Sequence, residues 1–282
     1  MFVQVNGVRL FVEVLGTKLV PDGPRMLERP TVVALHGGPT DHAHMRDMIG
    51  PLADVAQVVL YDHRGCGRSE RGDSSLWNMS QWGDDVRGLC DALGIERPIV
   101  IGASFGGFVA QSYLIRHPGH AAKVALLVTG AHQDRALARE GFRKQGGEAA
   151  ASAYEAVSLD PNPETFAKFM SECRALYTTR RFVDQELAAR ARVNRDLGLD
   201  FFRTSKSDPS LDFRDRLAAV TTPVLIVGGE EDPILPPVFQ DELERALKNA
   251  PVRRVRLPNA GHFVHLDQPE LYFRALREFV SE

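Results

Sequence analysis

Short, almost wholly apolar runs alternate along this chain with longer stretches in which apolar residues recur every three or four positions. The runs are 31–35, 58–61, the stretch from Ile99, 123–128 and 224–227; Val252 to Leu257, with three arginines, reads as a further strand. A strand that is apolar on both faces belongs in a sheet covered on both sides. Between the runs, the spacing predicts helices over 42–55 with a break at Gly50-Pro51, from Asn78 or Ser80 to Gly94, over 108–115, over 238–247 and over 269–280. Trp82, Val86, Leu89 and Leu93 show that spacing plainly, and Gly94 ends the helix that carries them. Strand and helix in alternation imply an α/β fold with a mostly parallel sheet.

Two stretches break the rhythm. Strands over 2–5 and 8–14 flank Asn6-Gly7, a favoured two-residue hairpin turn, so the chain opens on an antiparallel pair. Residues 16–30, with Pro21, Gly23, Pro24 and Pro30, read as a long loop. Residues 132–217 are charged, rich in alanine and helical in pattern, and Asn162-Pro163-Glu164 has the chemistry of a helix start. The expected organisation is a core of residues 1–131 and 218–282 with an all-helical cap, 132–217, inserted over the carboxyl ends of the strands, where open α/β sheets bind ligands.

The chemistry gathers at those strand ends. The run from Ile99 ends in Gly102-Ala103-Ser104-Phe105-Gly106-Gly107. A serine hydroxyl becomes a useful nucleophile when a sharp strand-to-helix turn exposes it to a base, and glycines two residues to either side relieve the crowding of that turn. The base expected is His262, in a glycine-containing loop after the strand 252–257, with His265 supporting the loop or capping the last helix. Asp232, after the run 224–227, is the acid that would orient it, ahead of its neighbours Glu230 and Glu231. Backbone N–H groups of Gly38, in His36-Gly37-Gly38-Pro39, and of Phe105 are the candidate donors to a developing oxyanion.

Composition narrows the partner. The 34 basic and 37 acidic residues create no field for nucleic acid or an anionic membrane, so a small-molecule substrate is expected. No run of 18 or more apolar residues and no signal-peptide core occur, which points to a soluble, cytoplasmic protein. Cys66, Cys90 and Cys173 are odd in number and widely spaced, as free buried thiols would be. His42-Ala43-His44 with Asp47 lacks the further histidine of a metallo-hydrolase run, so neither a metal nor a cofactor is expected. Gly37, Phe105, Tyr154, Phe166, Phe169, Tyr177, Phe201 and Phe202 are the candidate pocket lining; the oligomeric state is left open.

The order Ser104, Asp232, His262, together with the glycine turns, resembles the α/β-hydrolase superfamily over essentially the whole chain outside the cap. His36-Gly37-Gly38-Pro39 with Tyr61-Asp62-His63-Arg64-Gly65-Cys66-Gly67-Arg68-Ser69 is similar to segments of its proline iminopeptidase branch. The chain departs from that branch in having Phe105 after the serine, where tryptophan is typical, and no tryptophan in the cap. A cofactor-free serine hydrolase of a small ester, lactone or amide is therefore the leading expectation. Removal of N-terminal proline from short peptides is the alternative the resemblance implies, and a non-catalytic ligand receptor is a third.

Overall fold

The computed structural model describes residues 1–38, 40–182, 185–204 and 209–282. The chain opens with β1 (Phe2–Val5) and β2 (Val8–Leu15), paired antiparallel across Asn6 and Gly7, both at positive φ. The stretch read as a loop instead holds a two-stranded hairpin, β3 (Leu19–Asp22) and β4 (Arg25–Glu28), turned at Gly23 with φ 57°. Its residues are largely exposed and Lys18 pairs with Glu28 across its open end. Nothing in it faces a core, so no apolar periodicity marks it in the sequence.

From there the alternation holds. β5 (Thr31–Leu35) leads to α1 (Ala43–Met48), which stops before a 3-10 turn at Gly50–Asp54; β6 (Gln57–Tyr61) and α2 (Met79–Leu93) follow. β7 (Ile99–Ala103) runs into α3 (Phe105–Arg116), which starts at Phe105 rather than at 108. β8 (Lys123–Leu127) precedes a long helical stretch containing α4 (Arg135–Leu159), α5 (Pro163–Cys173), α6 (Gln185–Arg190) and α7 (Arg195–Thr204). The sheet resumes with β9 (Val224–Gly229), α8 (Pro237–Ala246) and β10 (Val252–Leu257), and the chain closes with α9 (Val264–Asp267) and α10 (Pro269–Ser281).

Eight strands form one sheet in the order β1-β2-β6-β5-β7-β8-β9-β10, antiparallel at β1 and β2 and parallel from β6 onward. Successive side chains of a strand point to opposite faces, and here both faces are dry. Val33, Leu35, Val100, Val124 and Ile226 pack on α2 and α3 through Trp82, Val86, Val109 and Tyr113. Val32, Ala34, Ile101, Ala125 and Val227 pack on the other side against Met45, Met48, Leu276 and Phe279. A third apolar cluster, with Phe142, Tyr154, Val157, Phe169 and Cys173, lies within the helical stretch between β8 and β9.

Helix ends follow local chemistry. Asn78 caps α2 by accepting from Gln81 N–H, and Gly94 ends it in the left-handed region at φ 66°. Asn162 and Thr165 form a reciprocal capping box at α5. All three cysteines are buried and free, and burial pushes the thiols of Cys90 and Cys173 up to about 12. Among the described residues, no helix is long and apolar enough to cross a membrane.

Candidate active site

Ser104 sits alone between β7 and α3 at φ 52° and ψ −116°, a backbone conformation that L-residues rarely adopt. The neighbouring glycines explain how the chain reaches it. A Cβ on Gly102 would lie 2.3 Å from the Gly106 carbonyl oxygen, and one on Gly106 would lie 2.1 Å from that of Leu35. Ser104 is fastened on the sheet side by its own N–H donating to Leu127 O at 2.9 Å, and by Thr129 Oγ1 donating to Ser104 O at 2.9 Å. The turn therefore stays fixed while the serine side chain faces a cavity.

His262 and Asp232 meet across the ends of β9 and β10. The imidazole Nδ1 donates to Asp232 Oδ2 at 2.7 Å, with both side chains almost fully buried. The other carboxylate oxygen, Oδ1, accepts from the N–H groups of Ile234 and Leu235, so the acid is oriented before any substrate arrives. Glu230 and Glu231 stand beside Asp232 in sequence, but it is Asp232 that reaches the ring. His265 is buried, and burial together with the nearby His44 and His262 holds it down to about 3, so it stays neutral as a packing group.

The loop carrying His262 is tied to the helical stretch. Phe263 N–H donates to Tyr177 O, while Asp267 Oδ2 accepts from both Gly261 N–H and Thr179 N–H. The Tyr177 ring stands edge-on to the imidazole with centroids 5.1 Å apart.

Ser104 and His262 line the same cavity of about 430 Å³, with no hydrogen bond between them among the described residues. In hydrolytic sites that contact commonly tightens only once substrate is bound. Gly37, Gly38 and Phe105 line the cavity beside the serine, and Tyr154, Phe166, Phe169, Tyr177, Phe201 and Phe202 supply much of the remaining wall. The Phe105 N–H is the first of α3, so no carbonyl of that helix accepts from it, and the helix dipole adds positive potential there. Gly38 takes φ 54°, and a Cβ on Gly37 would crowd Ala103 O at 3.1 Å and Ser104 Cβ at 3.2 Å. Bare backbone thus lets the end of β5 lie against the serine turn.

A brace beneath this loop was not foreseen from the sequence. His36 Nε2 accepts from His63 N–H at 3.0 Å, which leaves its proton on Nδ1 to donate to Gly37 O at 3.2 Å. His63 Nε2 donates in turn to His36 O at 3.1 Å, and burial keeps both rings below the usual imidazole range. Asp62 is fully enclosed: Oδ1 accepts from His42 N–H and Nδ1–H, and Oδ2 accepts from Arg68 N–H. Burial alone would raise its pKa, yet the hydrogen bonds from His42 and from the Arg68 N–H hold it below the carboxylate range. Burial likewise opposes a charge on His42, but Asp62 and Glu13 raise it above the imidazole range. His42 is thus engaged with carboxylates under the loop. Among the described residues, no group of three or more metal-ligating side chains is placed to hold an ion.

A parallel sheet with a serine at the tip of a strand-to-helix turn, and a paired imidazole and carboxylate at neighbouring strand ends, defines the architecture of an α/β-hydrolase. A family model described as alpha/beta hydrolase fold matches residues 30–269, and the chain belongs to that family of hydrolases. A proline iminopeptidase of Pestalotiopsis fici is 25% identical over 297 residues, covering 100% of this chain and 99% of the relative. The 3-oxoadipate enol-lactonase 1 of Acinetobacter baylyi is 23% identical, covering 89% of each chain. Among solved structures, a proline iminopeptidase-related protein of Thermus thermophilus superposes with a TM-score of 0.76 at 27% identity, covering 100% of this chain and 96% of that one.

Proposed function

We propose that the protein is a cofactor-free serine hydrolase that cleaves a small ester, lactone or amide through an acyl-enzyme. The observation that carries this reading is the 2.7 Å pairing of His262 Nδ1 with Asp232 on the wall of the cavity that also holds the strained Ser104. With Nδ1–H committed to Asp232, the imidazole presents Nε2 as a lone-pair acceptor. Ser104 Oγ attacks the carbonyl, Nε2 takes its proton and returns it to the leaving group, and the N–H groups of Gly38 and Phe105 receive the charge on the carbonyl oxygen. Water then repeats the cycle on the acyl-serine. Residues 132–217 serve as a cap, since Tyr154, Phe166, Phe169 and Tyr177 from that stretch line the cavity together with Ser104 and His262.

A fluorophosphonate probe is expected to label Ser104, and Ser104→Ala is expected to lose on the order of 10⁴-fold in turnover of p-nitrophenyl esters. Unchanged turnover in that variant sinks the reading. A second reading, removal of N-terminal proline, is supported by the similar Pestalotiopsis fici protein named a proline iminopeptidase and by Asp134, a carboxylate on the cavity wall that a free amine would meet. Proline arylamides assayed beside short acyl esters separate the two.

A further inference from the structure

The cavity wall is mainly apolar and carries two arginines, Arg195, which is exposed, and Arg174, which is half-buried. Arg174, at the end of α5, lines the cavity with its guanidinium carbon 4.4 Å over the Phe263 ring and 5.4 Å from the Tyr177 centroid. Its Nη2 donates to His44 Nε2 at 3.0 Å. No carboxylate pairs with it among the described residues. The fully buried guanidinium of this chain is treated differently: Arg64 is gripped by Asp85 through two hydrogen bonds of 2.8 Å, while the half-buried Arg174 has no such partner among the described residues.

An unpaired cation withdrawn from water is costly, because neither an imidazole acceptor nor two ring faces replace its lost hydration. Burial presses on Arg174 in the direction of losing its proton, but a guanidinium keeps its charge across the pH range of enzymes. The planar fork matches a carboxylate through two parallel hydrogen bonds, which a bound ligand is positioned to complete. The remaining charged groups on the wall do not fill that role: Asp134 accepts from the first N–H groups of α4, and Arg195 is exposed. Phe263 follows His262 in sequence, and the Tyr177 ring contacts both groups, its centroid 5.4 Å from the guanidinium carbon and 5.1 Å from the imidazole centroid, so Arg174 and His262 line one cavity with a ring in common.

The geometry points to Arg174 as a carboxylate-binding residue of the cavity, so that the substrate is a short ester or lactone bearing a free carboxylate. The hydrolytic half of this statement rests on the proposed role of Ser104; the binding half does not. Two esters of equal chain length test it: the p-nitrophenyl half-ester of adipic acid, which keeps a carboxylate, and p-nitrophenyl hexanoate, which lacks one. The wild-type protein is expected to favour the half-ester through KM. In Arg174→Met the ratio of the two kcat/KM values is expected to fall by about 10²-fold, and Arg174→Lys is expected to recover part of it. No preference in the wild type, or an equal loss for both esters in Arg174→Met, overturns the assignment.

Calorimetry with adipate separates the two layers of inference. Binding to Ser104→Ala that is weakened by adding Arg174→Met supports the carboxylate site even if Ser104→Ala were to hydrolyse esters at the wild-type rate. Adipate binding of equal strength in both proteins defeats the site while leaving the nucleophile untouched.

Discussion

Replacing Asp62 by asparagine probes the brace under the loop that carries Gly37 and Gly38. The carboxamide oxygen can keep the two bonds from His42, but its NH₂ group then faces the Arg68 N–H, donor against donor, where Oδ2 had accepted at 2.8 Å. The site has no room to turn away, since a Cβ on Gly67 would already lie 2.3 Å from Oδ2. Losing a hydrogen bond to a charged acceptor costs about 1.5–3 kcal/mol, and a buried unsatisfied N–H adds about 1–3 kcal/mol. The two together come to about 2.5–6 kcal/mol, and the middle of that range, roughly 3–5 kcal/mol, is what breaking a buried ion pair generally costs. At about 2–4 °C per kcal/mol for chains approaching this size, melting falls by roughly 6–20 °C. The pH dependence gives a second readout. Asp62 is depressed, so its contribution is present above the unfolded carboxyl pKa and is lost as pH falls through the lower folded value. His42 is raised, so its contribution is complete below the unfolded imidazole pKa and is lost as pH rises through the higher folded value. The stability gap between wild type and Asp62→Asn should therefore be widest between about pH 4 and about pH 6.5, and narrow on the alkaline side as the wild-type His42 loses its charge. Urea unfolding at a series of pH values measures it. A gap below about 1 kcal/mol, or one that widens toward alkaline pH, refutes the reasoning.

Two further substitutions bear on the site and its wall. Gly106→Ala puts a methyl group 2.1 Å from Leu35 O and 2.7 Å from His36 O, so the serine turn and the end of β5 must separate; kcat on a p-nitrophenyl ester is expected to fall by about 10–10²-fold, and a value within two-fold of wild type contradicts the packing argument. Asn162→Ala removes the acceptor for Glu164 and Thr165 N–H groups at the start of α5, which should lower stability by about 1 kcal/mol, read as a small drop in the urea midpoint; no drop would mean that α5 is held by its packing alone.

The alternation of strands and helices was legible because parallel strands buried on both faces leave unbroken apolar runs, as Val32 to Leu35 and Val224 to Val227 do. The hairpin of β3 and β4 left no such mark: Pro21 and Pro24 argued for a loop, and its strands turn largely exposed faces to solvent. At the candidate site, Ser104, Asp232 and His262 could be singled out because each falls in a short polar or glycine-bearing break after a segment of strand-like composition. The same logic had no hold on the brace. His42 joins Asp62 across 20 positions and His36 joins His63 across 27, and nothing in the chain between them repeats with either separation. Arg174 was the least visible of all. In sequence it is one arginine among many on a charged helical stretch, like the exposed Arg143 and Arg190. What distinguishes it is the ring of Phe263, brought over the guanidinium by the β10–α9 turn. Periodicity reports burial when residues close in the chain share a face; it is silent when burial is made by two remote segments closing on one another. A polar group that acquires its role from such a closure must be sought in the fold, and in this protein the closure of the helical stretch on the His262 loop supplies both the wall of the cavity and the cation within it.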